Sequence, residues 1–143
     1  MGMRDARVHT TPPVVLIVDD HEDSLAMYAL GLLAMGFQPV TAATGEEALA
    51  RACEIQPDAV VADVSLPGIS GLDLTRRLRN DARTKNTAIV VLTGHAALSV
   101  RDQAGAAGCD RFLVKPCLPD ALAFEVRDAL IDRDHHAAQA HAS

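Results

Sequence analysis

Five short apolar runs alternate with five stretches of helical spacing along the middle of this chain. The runs are Val14–Val18, Pro39–Ala42, Ala59–Ala62, Ala88–Leu92 and Arg111–Val114. Most are dominated by Val, Ile, Leu and Ala without polar alternation, which marks strands buried on both faces. Between and after them lie Asp23–Met35, a stretch from Thr44 to Ile55, Gly71–Arg79, Ala96–Ala107 and Pro119–Arg133. Their inward residues are predicted to be Leu25, Ala29, Leu32 and Leu33 in the first, Ala48, Leu49, Ala52 and Ile55 in the second, Leu74, Thr75 and Leu78 in the third, and Leu122, Val126 and Leu130 in the last. Thr44 with Glu47 three positions on forms a capping box, Gly36 and Gly108 close helices, and Pro119 suits a first helical turn. Strands separated by helices must run parallel, with right-handed crossovers. The expected fold is α/β: a doubly wound, five-stranded parallel sheet with helices on both faces.

The boundaries follow. Residues 14–133 are expected to form one domain, residues 1–13 an N-terminal tail, and residues 134–143 a C-terminal tail with no output domain. The chain is 49% hydrophobic, 3% aromatic and free of Trp, so Val, Leu, Ile and Ala must build the core. Its net charge of −6 (13 basic, 19 acidic residues) argues against direct nucleic-acid binding through a basic face. No apolar run is long enough for membrane insertion, and the first 13 residues do not read as a secretory signal. Cys53, Cys109 and Cys117 lack CxxC spacing and fit a reducing, cytoplasmic setting.

In doubly wound sheets, ligands collect beyond the carboxyl ends of the strands. Asp19 and Asp20 follow the first strand, Asp63 the third, Thr93 the fourth and Lys115 the fifth. The second strand ends in Ala43 and Thr44 and offers nothing obvious. One such Asp alone is most simply a turn former; four polar strand ends together argue for a site. Three carboxylates and one ammonium leave a charge of −2, which a divalent cation cancels. Oxygen donors select a hard cation, and Mg²⁺ keeps room for a phosphate oxygen. GxGxxG, GxxxxGK[ST] and GxSxG are all missing. A metal, a carboxylate, a hydroxyl and an ammonium suit phosphoryl transfer onto Asp63. His21 and His95 lie near the crevice without a Ser–His–Asp arrangement.

VVLIVDD (Val14–Asp20), ADVSLPGISGLDL (Ala62–Leu74), VVLTGH (Val90–His95) and FLVKP (Phe112–Pro116) occur in that order. Together they make the chain similar to the receiver domains of two-component response regulators, from Val14 to about Arg133. The resemblance implies a flavodoxin-like receiver fold in which Asp63 is the phosphoacceptor and Asp19, Asp20, Asp63 and the Ser65 backbone carbonyl hold Mg²⁺. It implies that Thr93 is the switch hydroxyl, that Lys115 pairs with the acyl phosphate across a cis Lys115–Pro116 bond, and that Phe112 is the switch aromatic. Phe112 lacks the usual Tyr hydroxyl, and Gly94, Cys117 and Ser70 also depart from the common pattern.

The implied function is that of a single-domain response regulator, a phosphoprotein in phosphorelay signal transduction. It catalyses only its own Mg²⁺-dependent aspartyl phosphorylation and dephosphorylation. Its phosphodonor would be a sensor histidine kinase or a histidine phosphotransfer protein. Its output would be a downstream protein partner, or a phosphorylation-dependent dimer, reached through the face of the fourth helix, fifth strand and fifth helix. Two other classes compete: a constitutive interaction module, favoured by loss of an acidic or Lys position, and an aspartyl hydrolase, whose nucleophile would follow the first strand in a DxD pattern. Cys53 and Cys117 carry no sign of activation, His95 stands where side chains tune acyl phosphate hydrolysis, and the run Arg76, Arg77, Arg79 and Arg83 reads as a solvated helix face.

Overall fold

The computed structural model describes residues 11–94 and 98–142. Within them, strands and helices alternate: β1 (Val14–Val18), α1 (Glu22–Ala34), β2 (Gln38–Ala42), α2 (Gly45–Ile55), β3 (Ala59–Asp63), α3 (Gly71–Arg79), β4 (Ala88–Thr93), α4 (Leu98–Ala107), β5 (Arg111–Val114) and α5 (Pro119–Ala142). The strands form one parallel sheet in the order β2-β1-β3-β4-β5. β1 therefore lies between β2 and β3, and the chain winds first to one side and then to the other. The carboxyl ends of β1 and β3 flank the crevice that this reversal opens.

Strand residues alternate between two cores. Val15, Ile17, Val61, Val90 and Leu92 pack against Tyr28 and Leu32 of α1 and Leu122 and Val126 of α5. Leu16, Val18, Val60, Ile89 and Val91 pack against Ala48 and Ala52 of α2, Leu74 and Leu78 of α3, and Ala104 of α4. Each fully buried aliphatic side chain stabilises the fold by about 1.5–3 kcal/mol relative to exposure. That two-sided burial is why β1, β3 and β4 read as unbroken apolar runs.

The α/β, doubly wound architecture agrees with the expectation, and the differences are local. Leu33, expected inside, is exposed, and Tyr28 takes an inward place on α1. Ile55 is also largely exposed. α5 runs to Ala142, past Arg133 where the pattern stopped; the added turns are rich in Ala and contain no Gly or Pro to end them. Arg79 belongs to no solvated face: its guanidinium reaches the carbonyls of Gly108, Lys85 and Thr87 and the carboxylate of Asp110. His95, Ala96, Ala97 and residues 1–10 lie outside the described residues. None of the helices described is long and apolar enough to cross a membrane.

Candidate functional site

Each candidate side chain is placed by a strand end. Asp19 follows β1 and hydrogen-bonds back to β2 through its amide and the Ala42 carbonyl (3.2 Å). Asp63 closes β3 level with Leu92 of β4. The Val64 amide then donates to the Leu92 carbonyl (2.8 Å), so Thr93 stands one residue beyond. Thr93 in turn accepts the Lys115 amide on its carbonyl (2.7 Å), which registers the end of β5 against β4. The Lys115–Pro116 bond is cis, as the resemblance implied.

These strand ends converge. Lys115 Nζ lies 2.8 Å from Asp63 Oδ2 and 3.3 Å from Asp19 Oδ2. Both carboxylates are buried, at 2% exposure for Asp19 and 6% for Asp63, and Thr93 is buried beside them at 1%. Burial opposes the Lys115 charge, but the hydrogen bond and field of Asp63, reinforced by Asp19, outweigh it and raise its pKa above the ordinary lysine value. Asp20 is exposed and does not join the Lys115 pair. It meets His21, whose Nδ1 lies 3.3 Å from Asp20 Oδ1 and 3.1 Å from Asp19 Oδ1. The His21 amide also donates to Asp19 Oδ1 (2.9 Å).

The loop after β3 is shaped around Asp63. The Ser65 amide donates to Asp63 Oδ1 (3.1 Å), and the Gly71 amide donates to the Val64 carbonyl (3.0 Å). A side chain on Gly71 would collide with the Asp63 carbonyl, so only glycine lets α3 start this close to the acid. Ser70 caps α3 by accepting the Asp73 amide on Oγ (3.1 Å). Phe112 is half-buried, with the Arg101 guanidinium 5.4 Å from its ring centroid.

The donors fit a hard cation. One ligand atom from each of Asp19, Asp20 and His21 falls within a 4.8 Å cluster, and Asp63 is tied to Asp19 through Lys115. Three carboxylates against one ammonium leave an excess of −2 that a divalent ion cancels. Imidazole is the misfit in this set: His21, 71% exposed, holds its ring nitrogen against both Asp19 and Asp20.

The sequence reading missed three contacts here. His21 stood out only as a neighbour of the crevice. Tyr28 donates its hydroxyl to the Cys117 carbonyl (2.8 Å), holding the segment that follows Lys115. Arg101 covers Phe112. Each depends on side-chain direction, and only the DDHE run carried a signal of the first.

A family model described as the response regulator receiver domain matches residues 15–127. The transcriptional regulatory protein PrrA of Mycobacterium tuberculosis is 38% identical over 120 residues, which are 84% of this chain and 51% of PrrA. The polar-differentiation response regulator DivK of Brucella anthropi is 30% identical over 105 residues, 73% of this chain and 85% of DivK. A solved structure of the chemotaxis response regulator CheY4 of Vibrio cholerae superposes with a TM-score of 0.79 at 31% identity, covering 83% of this chain and 99% of CheY4. This chain thus spans about half the length of PrrA, 51%, but most of DivK and nearly all of CheY4.

Proposed function

Because this chain belongs to the response regulator receiver domain family, we propose that it accepts a phosphoryl group on Asp63 and uses the resulting change to alter a protein contact. The family consists of phosphoacceptor switches, and phosphorylation with Mg²⁺ is general to it. The observation that carries the reading here is the position of Lys115, bonded at once to Asp63 and Asp19.

A carboxylate oxygen of Asp63 attacks phosphorus, a new P–O bond forms, and the bond to the donor's leaving group breaks. The donor is a phosphohistidine on a sensor kinase or on a histidine phosphotransfer protein. Asp19, Asp20, Asp63 and the Ser65 carbonyl would hold Mg²⁺, which neutralises charge on the phosphoryl oxygens. Lys115 follows that charge from the Asp63 carboxylate to the acyl phosphate, and Thr93 donates its hydroxyl to a phosphoryl oxygen. Burial of Asp63 limits water at the reacting atom.

Phosphorylation adds about one negative charge and new acceptor oxygens. Thr93 moves toward them, and Phe112 takes up the vacated space once it leaves the Arg101 guanidinium. The affected surface is that of α4, β5 and α5. There Arg111 of β5 is already tied to Asp128 (2.8 Å) and Asp132 (2.6 Å) of α5, so movement of the strand reaches the helix. The partner on that face is a downstream protein or a second phosphorylated copy. The acidic net charge and free thiols suit action in the cytoplasm.

Acetyl phosphate with Mg²⁺ should add one phosphate to the intact mass of the chain, and Asp63→Asn should abolish the gain. Lys115→Ala should keep the fold but blunt the phosphorylation-dependent change. No gain with any donor, including a phosphorylated kinase, would leave a constitutive interaction module as the better account.

A further inference from the structure

The loop between Asp63 and Gly71 carries Ser65, and its far end leans on α2. The Ile69 amide donates to Glu46 Oε2 (3.2 Å). Gly68, one residue earlier, adopts φ +76°, and a side chain there would lie 2.5 Å from Glu46 Oε2 and 2.7 Å from Oε1. The loop therefore turns on a glycine pressed directly against the Glu46 carboxylate. Its near end is fixed differently, by the Ser65 amide on Asp63 Oδ1 and the Val64 and Gly71 hydrogen bonds. Leu66 and Ile69 pack against the core below α2 and α3. Glu46 is the carboxylate that holds the far end of the loop, as Asp63 holds its near end.

We infer that Glu46 is a positioning residue for the proposed metal site: by holding Gly68 and Ile69 against α2, it fixes the loop that carries Ser65, whose carbonyl is among the proposed ligands. It touches neither phosphate nor Asp63 and acts through the loop backbone. Anchoring the loop in advance removes ordering that cation binding would otherwise have to impose. Glu46 sits in the first turn of α2, so α2 and the metal loop become one mechanical unit. Glu47, beside it, is engaged in the cap and receives the Ala43 amide (2.9 Å). The inference rests on the proposed Mg²⁺ site, and the measurement is binding, separate from phosphorylation.

The test compares the full chain with Glu46→Ala and Glu46→Gln. Mg²⁺ is titrated calorimetrically, exchange of the Ile69 amide is followed without metal, and acetyl phosphate labelling is run at saturating Mg²⁺. Loss of one charge-assisted hydrogen bond at an exposed site predicts about threefold to tenfold weaker Mg²⁺ binding in Glu46→Ala. Ile69 exchange should quicken in the same variant, while the labelling rate at saturating Mg²⁺ stays near that of the parent. Glu46→Gln keeps an oxygen acceptor and should bind Mg²⁺ within about twofold of the parent. Equal affinities in parent and Glu46→Ala overturn the inference and leave the phosphoacceptor reading standing. Gln as damaging as Ala overturns it too, because charge rather than the hydrogen bond would then be at work. A parent chain that does not bind Mg²⁺ removes the inference together with the site it serves.

Discussion

At the scale of single residues, one ammonium serves two buried carboxylates while the third acid is left to an imidazole and water. Lys115 must stay charged between Asp63 and Asp19, and its raised pKa reflects their combined pull against burial. His21 spans Asp19 and Asp20, and in a set of hard oxygen donors it occupies lone pairs a cation would use. His21→Ala should therefore bind Mg²⁺ about twofold to fivefold more tightly, the size of one weak, exposed hydrogen bond released. Calorimetric titration checks this, and a tenfold loss would instead make His21 a ligand. Asp19, Asp63, Thr93 and Lys115 are legible in the sequence, because a strand end fixes where its next residue goes. The role of His21 is not, since adjacency in Asp20-His21 does not say which way the ring turns.

At the scale of elements, legibility tracks how completely local rules decide the outcome. α3 was readable to both ends, Gly71 and Arg79, because its apolar stripe is sharp and Ser70 caps it. The Thr44 cap of α2 was equally readable, with the Glu47 amide on Thr44 Oγ1 at 3.1 Å. α1 was not: its apolar residues run all the way round, and the rotation is set by Gly31 meeting Pro119 of α5, a tertiary contact. Arg79 shows the same limit. It looked like one charge in the run Arg76, Arg77, Arg79 and Arg83, the first three of them on α3, yet it joins the end of that helix to the segments that lead into β4 and β5. Nη1 reaches the Thr87 carbonyl (2.6 Å), Nε the Gly108 carbonyl (2.9 Å) and Nη2 the Asp110 carboxylate (2.9 Å). Asp110 also receives the Ile89 amide and Arg133. Arg79→Ala would leave a half-buried acid with one partner fewer and three carbonyls short of a donor, and should cost about 2–3 kcal/mol in urea unfolding. Arg79→Lys should recover less than half of that, because an ammonium cannot span the same fork; a loss under about 0.5 kcal/mol for Ala would mean the hub is solvated.

At the scale of the whole molecule, the two cores are separate but the site is shared. Strands β1, β3, β4 and β5 deliver its side chains, and α1 reaches it through Tyr28, whose hydroxyl holds the Cys117 carbonyl just beyond Lys115. Tyr28 is the single tyrosine of the chain, so its ionisation is visible alone in the ultraviolet spectrum. Burial raises its pKa, the fields of Cys117, Asp19 and Asp63 add to the rise, and the Lys115 charge opposes it. The folded state therefore keeps the phenol proton to higher pH than the unfolded chain does. Lys115 behaves alike, since its folded pKa is also raised. Both contributions are complete below about pH 10, where the free groups begin to titrate, and both fade as pH climbs through the folded values. Urea unfolding should accordingly become easier from about pH 10 upward, with no matching loss between about pH 7 and 9 from these two groups. A spectrophotometric titration of the folded chain should show Tyr28 ionising above the free phenol value of about 10 and returning to it in denaturant. Lys115→Ala should move the folded Tyr28 transition still higher, because a neighbouring charge that favours phenolate is gone. A folded chain whose tyrosine titrates like free phenol would show that α1 is not docked on the segment after Lys115, and the coupling of α1 to the site would fall with it.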